Sequence, residues 1–386
     1  MHQPEGFKLK GQENKVLRLH HAIYGLKQAA LAWWKELESS MKRLGFRRTA
    51  SDAGVFFAHV GKDLVIIIVY VDDAIFFGKN LKAVKQAKKA FMDKWECCNL
   101  GAAQEFLRMK IQRKGKKIFL DQVDYLDKVV ERFGMSNARG AQTPLTGGYK
   151  PVESQDQCTP EFRQKYQSII GSLLYIMLGT RPDITYAVTK LAQFSVNPSN
   201  EHMIKAHDIC RYLRSTRNYA MVFDGSLDEG LIAFTDSDWA SDPIKRRSIT
   251  GYFFKIAGCI FSWQSQAQKT IALSSTEAEY MALSDCSRQA VWIKSLLEEL
   301  GFRIPTVPIC GDNQGSIFIG SNPVQERRSK HIDIRYHYVR QLIEEKKIEL
   351  FFVEGANNPA DLFTKNLAAP KFIKFRAELR LEFYSS

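Results

Sequence analysis

Residues 1 to 20 are polar and show little periodicity. From Ala22 to Leu44, apolar residues recur at Leu26, Ala30, Trp33, Trp34, Leu37, Met41 and Leu44, a helical spacing closed by Gly45. A hairpin is predicted over 54–78, centred on LVIIIVYVDDAIFFG at 64–78. There an apolar run from Leu64 to Val71 meets Asp72 and Asp73, and a second run, Ala74 to Phe77, follows at once. Continuous Val/Ile-rich runs read as buried strands. A Lys-rich helix over roughly 81–95 comes next, then two strands over 105–120 turning at Lys114-Gly115-Lys116, and a helix from Asp121 to Phe133.

Residues 134–160 are rich in Gly, Pro and small polar residues and predict a linker. Helices are expected over 161–217, broken at Gly179-Thr180-Arg181-Pro182 and near Pro198. The pattern then changes: 230–272 alternate, with β-branched and aromatic residues, and predict a three-stranded meander. Ser274 to Leu300 predicts a long helix, Val307 to Cys310 a strand and 313–320 a short helix. A helix over 331–345, a strand over 348–353 and helices near 358–366 and 370–384 complete an α/β domain.

The length of 386 residues suggests two or three domains, and 45% hydrophobic with 12% aromatic residues is enough for real cores. Seven scattered cysteines form no metal-spaced or disulfide pattern, which favours a reducing compartment over secretion. The 64–71 run is far short of the ~20 residues a bilayer span needs, and the N-terminus carries no apolar signal core. An intracellular protein with no membrane partner is expected. The net charge of +13 is uneven: residues 1–227 hold 35 Lys+Arg against 22 Asp+Glu, whereas 228–386 hold 20 of each. A basic body is a footprint for polyanions, nucleic acid first among them; a generally basic, solvated surface is the alternative.

Two groups of acids stand out. Asp72 and Asp73, adjacent at an apolar hairpin tip, repel each other unless a cation such as Mg²⁺ lies between them; an ordinary turn is the alternative. In the C-terminal part, Asp236 and Asp238 end the strand LIAFTDSDW and share one face if it persists that far. Glu277 and Glu279 open the long helix but point apart. Ser274 to Glu277 fits a capping box, which gives Glu277 a structural task and leaves Glu279 for a site. Asp312 follows a short apolar strand, where α/β sheets place ligands. Asp361 lies in Asn358-Pro359-Ala360-Asp361, where helix-end electrostatics would also explain it. If four of these acids converge, they can hold two cations that serve phosphodiester hydrolysis.

Ten motifs occur in order: QPEGF at 3–7, YGLKQA at 24–29, YVDD at 70–73, TPL at 143–145, YQSIIGSLLYIMLGTRPDI at 166–184, DSDWASD at 236–242, SSTEAEYMAL at 274–283, DNQ at 312–314, KHIDIRYHYVR at 330–340 and ADLFTK at 360–365. Together they resemble the C-terminal part of a Ty1/copia-type retrotransposon Pol polyprotein: truncated reverse transcriptase, connection and RNase H. The resemblance implies a mixed α/β fold. Residues 1–135 would form a partial palm and thumb-like elements, 136–228 a linker and helical connection, and 229–386 an RNase H-like domain with a mixed five-stranded sheet and flanking helices.

It further implies that Asp72 and Asp73 are the metal-binding pair of the polymerase palm. Asp236, Glu279, Asp312 and Asp361 would be the RNase H carboxylates, holding two Mg²⁺ with Mn²⁺ as a substitute. Lys27 and Gln28 of YGLKQA are candidates for nucleic-acid contact. The implied activity is Mg²⁺-dependent endonucleolytic cleavage of RNA in RNA/DNA hybrids. Other nucleic acid and other Pol or Gag products of a parent element that transposes would be partners, in cytoplasmic virus-like particles or the nucleus. The histidine that many RNases H carry before the last aspartate has no counterpart in GANN at 355–358.

Three departures qualify the polymerase half. The third palm aspartate would precede QPEGF, so a chain starting at Met1 is expected to be a truncated copy unable to polymerise DNA. Ala30-Leu31 stand where relatives carry Pro-Arg, and Arg108 where Gly is usual. A lost palm strand would also leave an apolar edge near Leu64 to Val71, and such edges invite aggregation. A non-catalytic nucleic-acid-binding remnant and a decayed element fragment are the rival readings.

Overall fold

A computed structural model describes residues 1–226, 230–242, 245–321 and 330–384. It divides into two compact units, 1–101 and 102–386.

The first unit contains helix α1 (Ala29–Arg43), strands β1 (Arg47–Arg48), β2 (Val55–Val60), β3 (Asp63–Tyr70) and β4 (Asp73–Gly78), and helix α2 (Leu81–Lys94). Helix α1 starts seven residues later than the apolar spacing suggests, because Gly25 adopts φ +91° and the segment before Ala29 runs in turns. The four strands form one antiparallel sheet in sequence order. Strand β3 is interior, paired to β2 and β4, so the expected apolar edge at Leu64–Val71 is not there; the outer strands are β1 and β4. Nor is β3 buried throughout. Val65 and Ile67 are fully buried in a core with Leu37 and Met41 of α1 and Ala83, Ala87 and Phe91 of α2, whereas Ile66 and Ile68 on the opposite face are half-buried.

The second unit opens with β5 (Glu105–Phe106), β6 (Met109–Lys114), β7 (Lys117–Asp121) and α3 (Val123–Arg132). Helices α4 (Pro160–Gly179), α5 (Thr185–Ala192) and α6 (Asn200–Ser215) lead to β8 (Tyr219–Phe223). Then come β9 (Ile232–Asp238), β10 (Ile249–Ile256), β11 (Cys259–Ala267), α7 (Ser275–Glu299), β12 (Val307–Gly311), α8 (Gln314–Ser321), α9 (Lys330–Glu344) and β13 (Ile348–Phe352). A 3₁₀ turn (Pro359–Phe363), α10 (Ala369–Glu378) and β14 (Leu381–Phe383) finish the chain. The fold is the mixed α/β class expected.

Two five-stranded sheets result. One runs β11-β10-β9-β12-β13, with the meander antiparallel and β12 parallel to both β9 and β13. The other is antiparallel, in the order β14-β8-β7-β6-β5. The second sheet relocates the expected boundary at 135/136: β7 pairs with β8, so residues 102–135 belong with the later chain, and the break falls at 101/102. The expected boundary at 228/229 lies outside the described residues. The predicted helix over 370–384 ends at Glu378, because Arg380 takes φ +59° and the chain turns into β14 against β8.

One hydrophobic core spans the proposed connection and the C-terminal segments. It joins Leu126, Val129, Ile169, Leu173, Ile209 and Leu213 to Phe253, Phe363, Phe372 and Phe375. Among the described residues, no helix is long and apolar enough to cross a membrane.

Because this core is shared, a chain beginning at residue 230 is expected to lack a cooperative melt. Residues 102–386 should melt in one transition, and thermal circular dichroism of the two fragments distinguishes the cases. A sharp two-state melt for the shorter fragment would show that the shared core is dispensable.

Candidate active site

Four acids are brought to the end of the mixed sheet. Asp236 lies near the end of β9. Strand β12 runs parallel beside β9 with Ile309 opposite Ala233 and Cys310 opposite Phe234; continuing that register by two places sets Asp312 next to Asp236. Asn313 then caps α8, its side-chain oxygen accepting from the Ser316 N–H at 2.8 Å. This turns the chain away and leaves Asp312 at the sheet end.

Helix α7 delivers Glu279. Ser274 Oγ accepts from the Glu277 N–H at 3.2 Å, and Glu277 reaches back to the Leu273 N–H at 3.0 Å, one residue earlier than a standard capping box. Glu277 is therefore spent on the helix start. Glu279, on another face, accepts the backbone N–H of Ser237 and faces the charges of Asp236 and Asp312.

Asp361 comes from the 3₁₀ turn. Asn358 caps that turn by accepting from the Ala360 N–H at 3.1 Å and anchors it to β9 by donating to the Thr235 carbonyl at 2.9 Å. Phe363 packs on Phe253, which stacks on Phe234. Gly251 permits this approach: it sits opposite Asp236 in the ladder, and a Cβ there would lie 2.6 Å from Thr364 and 2.8 Å from Phe363. Gly355 acts similarly, since a Cβ on it would meet Asp312 Oδ2 at 2.9 Å. Neither glycine is marked by a motif; their role follows from contacts that spacing does not reveal.

Carboxylate oxygens of Asp236, Asp312 and Asp361 all lie within 4.8 Å of one another. Asp236 and Asp361 are almost fully buried. Burial chiefly, with the charges of Asp361 and Asp312, pushes the Asp236 carboxyl up to about 7 against the pull of Lys365 and the Thr364 hydroxyl. Burial and the Asp236 and Asp312 charges also raise Glu279, and burial raises Asp312. The counter-charge comes from Lys365 and Lys371, both ion-paired with Asp361, and Thr364 donates to Asp236. Burial disfavours the Lys365 ammonium, but the Asp236 and Asp361 carboxylates outweigh it and hold the group protonated. An all-carboxylate set of this kind suits a hard divalent cation such as Mg²⁺ or Mn²⁺. Asp238 is half-buried beside this group, raised mainly by burial.

The polymerase candidates lie elsewhere. Asp72 occupies the turn after β3, where Val71 takes φ +52°, and Asp73 starts β4 opposite Tyr70. Both are exposed, and the Tyr24 hydroxyl donates to Asp72 at 3.3 Å. Lys27 and Gln28 are exposed at the start of α1, where Gln28 makes no side-chain cap.

A family model described as reverse transcriptase (RNA-dependent DNA polymerase) matches residues 1–147. The chain is 30% identical over 287 residues to a putative transposon Ty5-1 protein of Saccharomyces cerevisiae, and the match covers 73% of this chain and 92% of that protein. It is 38% identical over 382 residues, 96% of this chain, to the retrovirus-related Pol polyprotein from transposon TNT 1-94 of Nicotiana tabacum. The chain belongs to the Ty1/copia-type retrotransposon Pol family. The match covers 28% of the length of the tobacco Pol polyprotein. Among solved structures, a foamy viral protease-reverse transcriptase in complex with dsDNA covers 86% of this chain and matches 60% of its own, at 14% identity and a TM-score of 0.45.

Two outcomes follow from the Pol chain's carboxylate cluster. An acid whose folded pKa is raised gives stability that is fully present below its unfolded value, about 3.9 for Asp. That stability is lost as pH rises through the folded value, near 7 for Asp236. The metal-free protein should therefore lose stability between about pH 4 and pH 8. Asp236→Asn should flatten that loss and gain on the order of 2 kcal/mol at pH 8, read from urea unfolding at several pH values. Separately, Gly251→Ala should cost about 1–3 kcal/mol by displacing Phe363 and Thr364, measured the same way.

Proposed function

We propose that the Asp236, Glu279, Asp312 and Asp361 cluster is an RNase H-type endoribonuclease centre that cuts the RNA strand of RNA/DNA hybrids. The convergence of four carboxylates from β9, α7, the end of β12 and the 3₁₀ turn carries this reading. Two divalent ions held by these residues, Mg²⁺ or Mn²⁺, would supply an activated water and neutralise the leaving oxygen. Asp236 is oriented by the Thr364 hydroxyl, Glu279 by the Ser237 N–H, and Asp361 by the capped turn. The net charge of +13 favours a polyanionic substrate, and within the reading the exposed Lys27 and Gln28 contribute to nucleic-acid contact. Other Pol or Gag products of a parent element, and a location in virus-like particles or the nucleus, belong to the same proposal.

No DNA synthesis is assigned to this chain by itself. The resemblance calls for a third acid beside Asp72 and Asp73, and among the described residues no His, Cys, Asp or Glu joins them in a three-ligand cluster.

The test is Mg²⁺-dependent cleavage of a labelled RNA/DNA hybrid. Asp236→Asn and Asp312→Asn should each lower the rate by on the order of a hundredfold or more while the fold persists. Equal cleavage by both variants would sink the assignment, and hybrid binding without cleavage by the unmutated chain would favour a non-catalytic binding protein.

A further inference from the structure

Both oxygens of Asp361 are already engaged by ammonium groups. Lys365 Nζ lies 2.6 Å from Asp361 Oδ1 and 3.6 Å from Asp236 Oδ2. Lys371 bonds Asp361 Oδ2, and its Nζ lies 3.5 Å from the Gly355 carbonyl oxygen. A divalent ion approaching Asp361 on either oxygen therefore meets a positive charge, and one ammonium has to give way.

The two lysines are not equivalent. Lys365 follows Asp361 by four residues and bridges two carboxylates, so releasing it would uncover both Asp361 and Asp236. Lys371 projects from the first turn of α10 and holds one carboxylate, its Nζ lying over the Phe375 ring at 5.2 Å. Both lysine side chains are 38% exposed, so exposure does not separate them; what does is that a swing of Lys371 into water gives up one carboxylate, where release of Lys365 gives up two.

We propose that Lys371 is an exchangeable internal cation: it neutralises Asp361 in the metal-free protein and leaves for solvent when a divalent ion binds, while Lys365 stays. This rests on the reading of the cluster as a metal site. The exchange lets the buried acids fold without metal and sets a threshold for metal occupancy, because an ion bound at Asp361 must first displace the Lys371 ion pair.

The test titrates the full chain with MnCl₂ alone by calorimetry. Lys371→Met should tighten Mn²⁺ binding about tenfold. Lys374→Met removes an equal charge three residues further along α10, where the ammonium donates to Asn357 Oδ1 at 2.9 Å instead of to a carboxylate. It should change affinity by less than about twofold. In the unmutated protein, lysine acylation read by mass spectrometry should speed up several-fold at Lys371 when Mn²⁺ is added, and stay constant at Lys365. That arm does not depend on a variant folding. Mn²⁺ binding that Lys371→Met leaves unchanged, that both variants tighten equally, or that leaves Lys371 labelling unaltered overturns the exchange while the metal site stands. Absence of Mn²⁺ binding in every form, or binding unaffected by Asp312→Asn, overturns the metal-site reading and the exchange with it.

Discussion

Crowding negative charge into a low-dielectric place is the constraint on which the second unit is organised. Three carboxylates share a space under 5 Å across, two of them almost fully buried, and a fourth borders them. For Asp236, Glu279 and Asp312, burial alone penalises the charge by more than any single neighbour does. The answer is assembled from ordinary parts: a parallel β9–β12 pair that sets two acids side by side, a capped helix that frees one glutamate by occupying another, and a glycine opposite Asp236 that lets the fourth acid close in. Two lysines and a threonine hydroxyl then offset what packing cannot.

That fourth acid makes the site depend on a larger body than the sheet that carries the other three. The turn holding Asp361 is set in a core to which α3, α4, α5 and α6 contribute alongside β10, β11 and α10. Helix α10 is tied to the same body through a buried polar network. Arg376 donates to the Tyr212 hydroxyl at 3.0 Å, Tyr212 donates to Asp183, and Arg181 pairs with Asp183 at 2.7 Å. Burying such a pair adds little net stability, but breaking one partner is costly, so the network works more as a register device for α10 than as a source of stability. Both lysines of the site lie on this stretch, Lys365 just before α10 and Lys371 within it. The helical segment before the sheet, through Arg181, Asp183 and Tyr212, thereby helps decide where the site's positive charge falls.

Much of this was legible in the chain. Period-two alternation located β9, β10 and β11, the apolar run before Asp312 located β12, and the Ser274 to Glu277 spacing separated the two glutamates correctly as to placement. What was not legible depends on contacts between distant segments. The pairing of β8 with β7 and β14 joins residues about 100 and 160 positions apart, and β14 is three residues long, too short for any period to show. Apolar spacing carried the predicted last helix through Arg380, whose left-handed backbone ends it. The ADLFTK and DNQ motifs contain Lys365 and Asn313, yet nothing in their spacing says that one is a counter-ion and the other a cap.

The contrast with YVDD shows where a sequence argument about charge has to stop. Adjacent aspartates in an apolar stretch demand a cation only if the stretch stays apolar around them. Asp72 and Asp73 turn out to sit at an exposed tip, with Tyr70 and Val71 more than half exposed beside them. Water and salt screen their repulsion there, so repulsion alone does not demand a cation. Asp236, Glu279, Asp312 and Asp361 are spread over 126 positions, from 236 to 361, and nothing in their spacing shows that they meet. Brought together in a place water hardly reaches, they need positive charge at every stage. Lysines supply it in the folded chain, and under the exchange proposed above a divalent ion would take the place of the one that holds a single carboxylate.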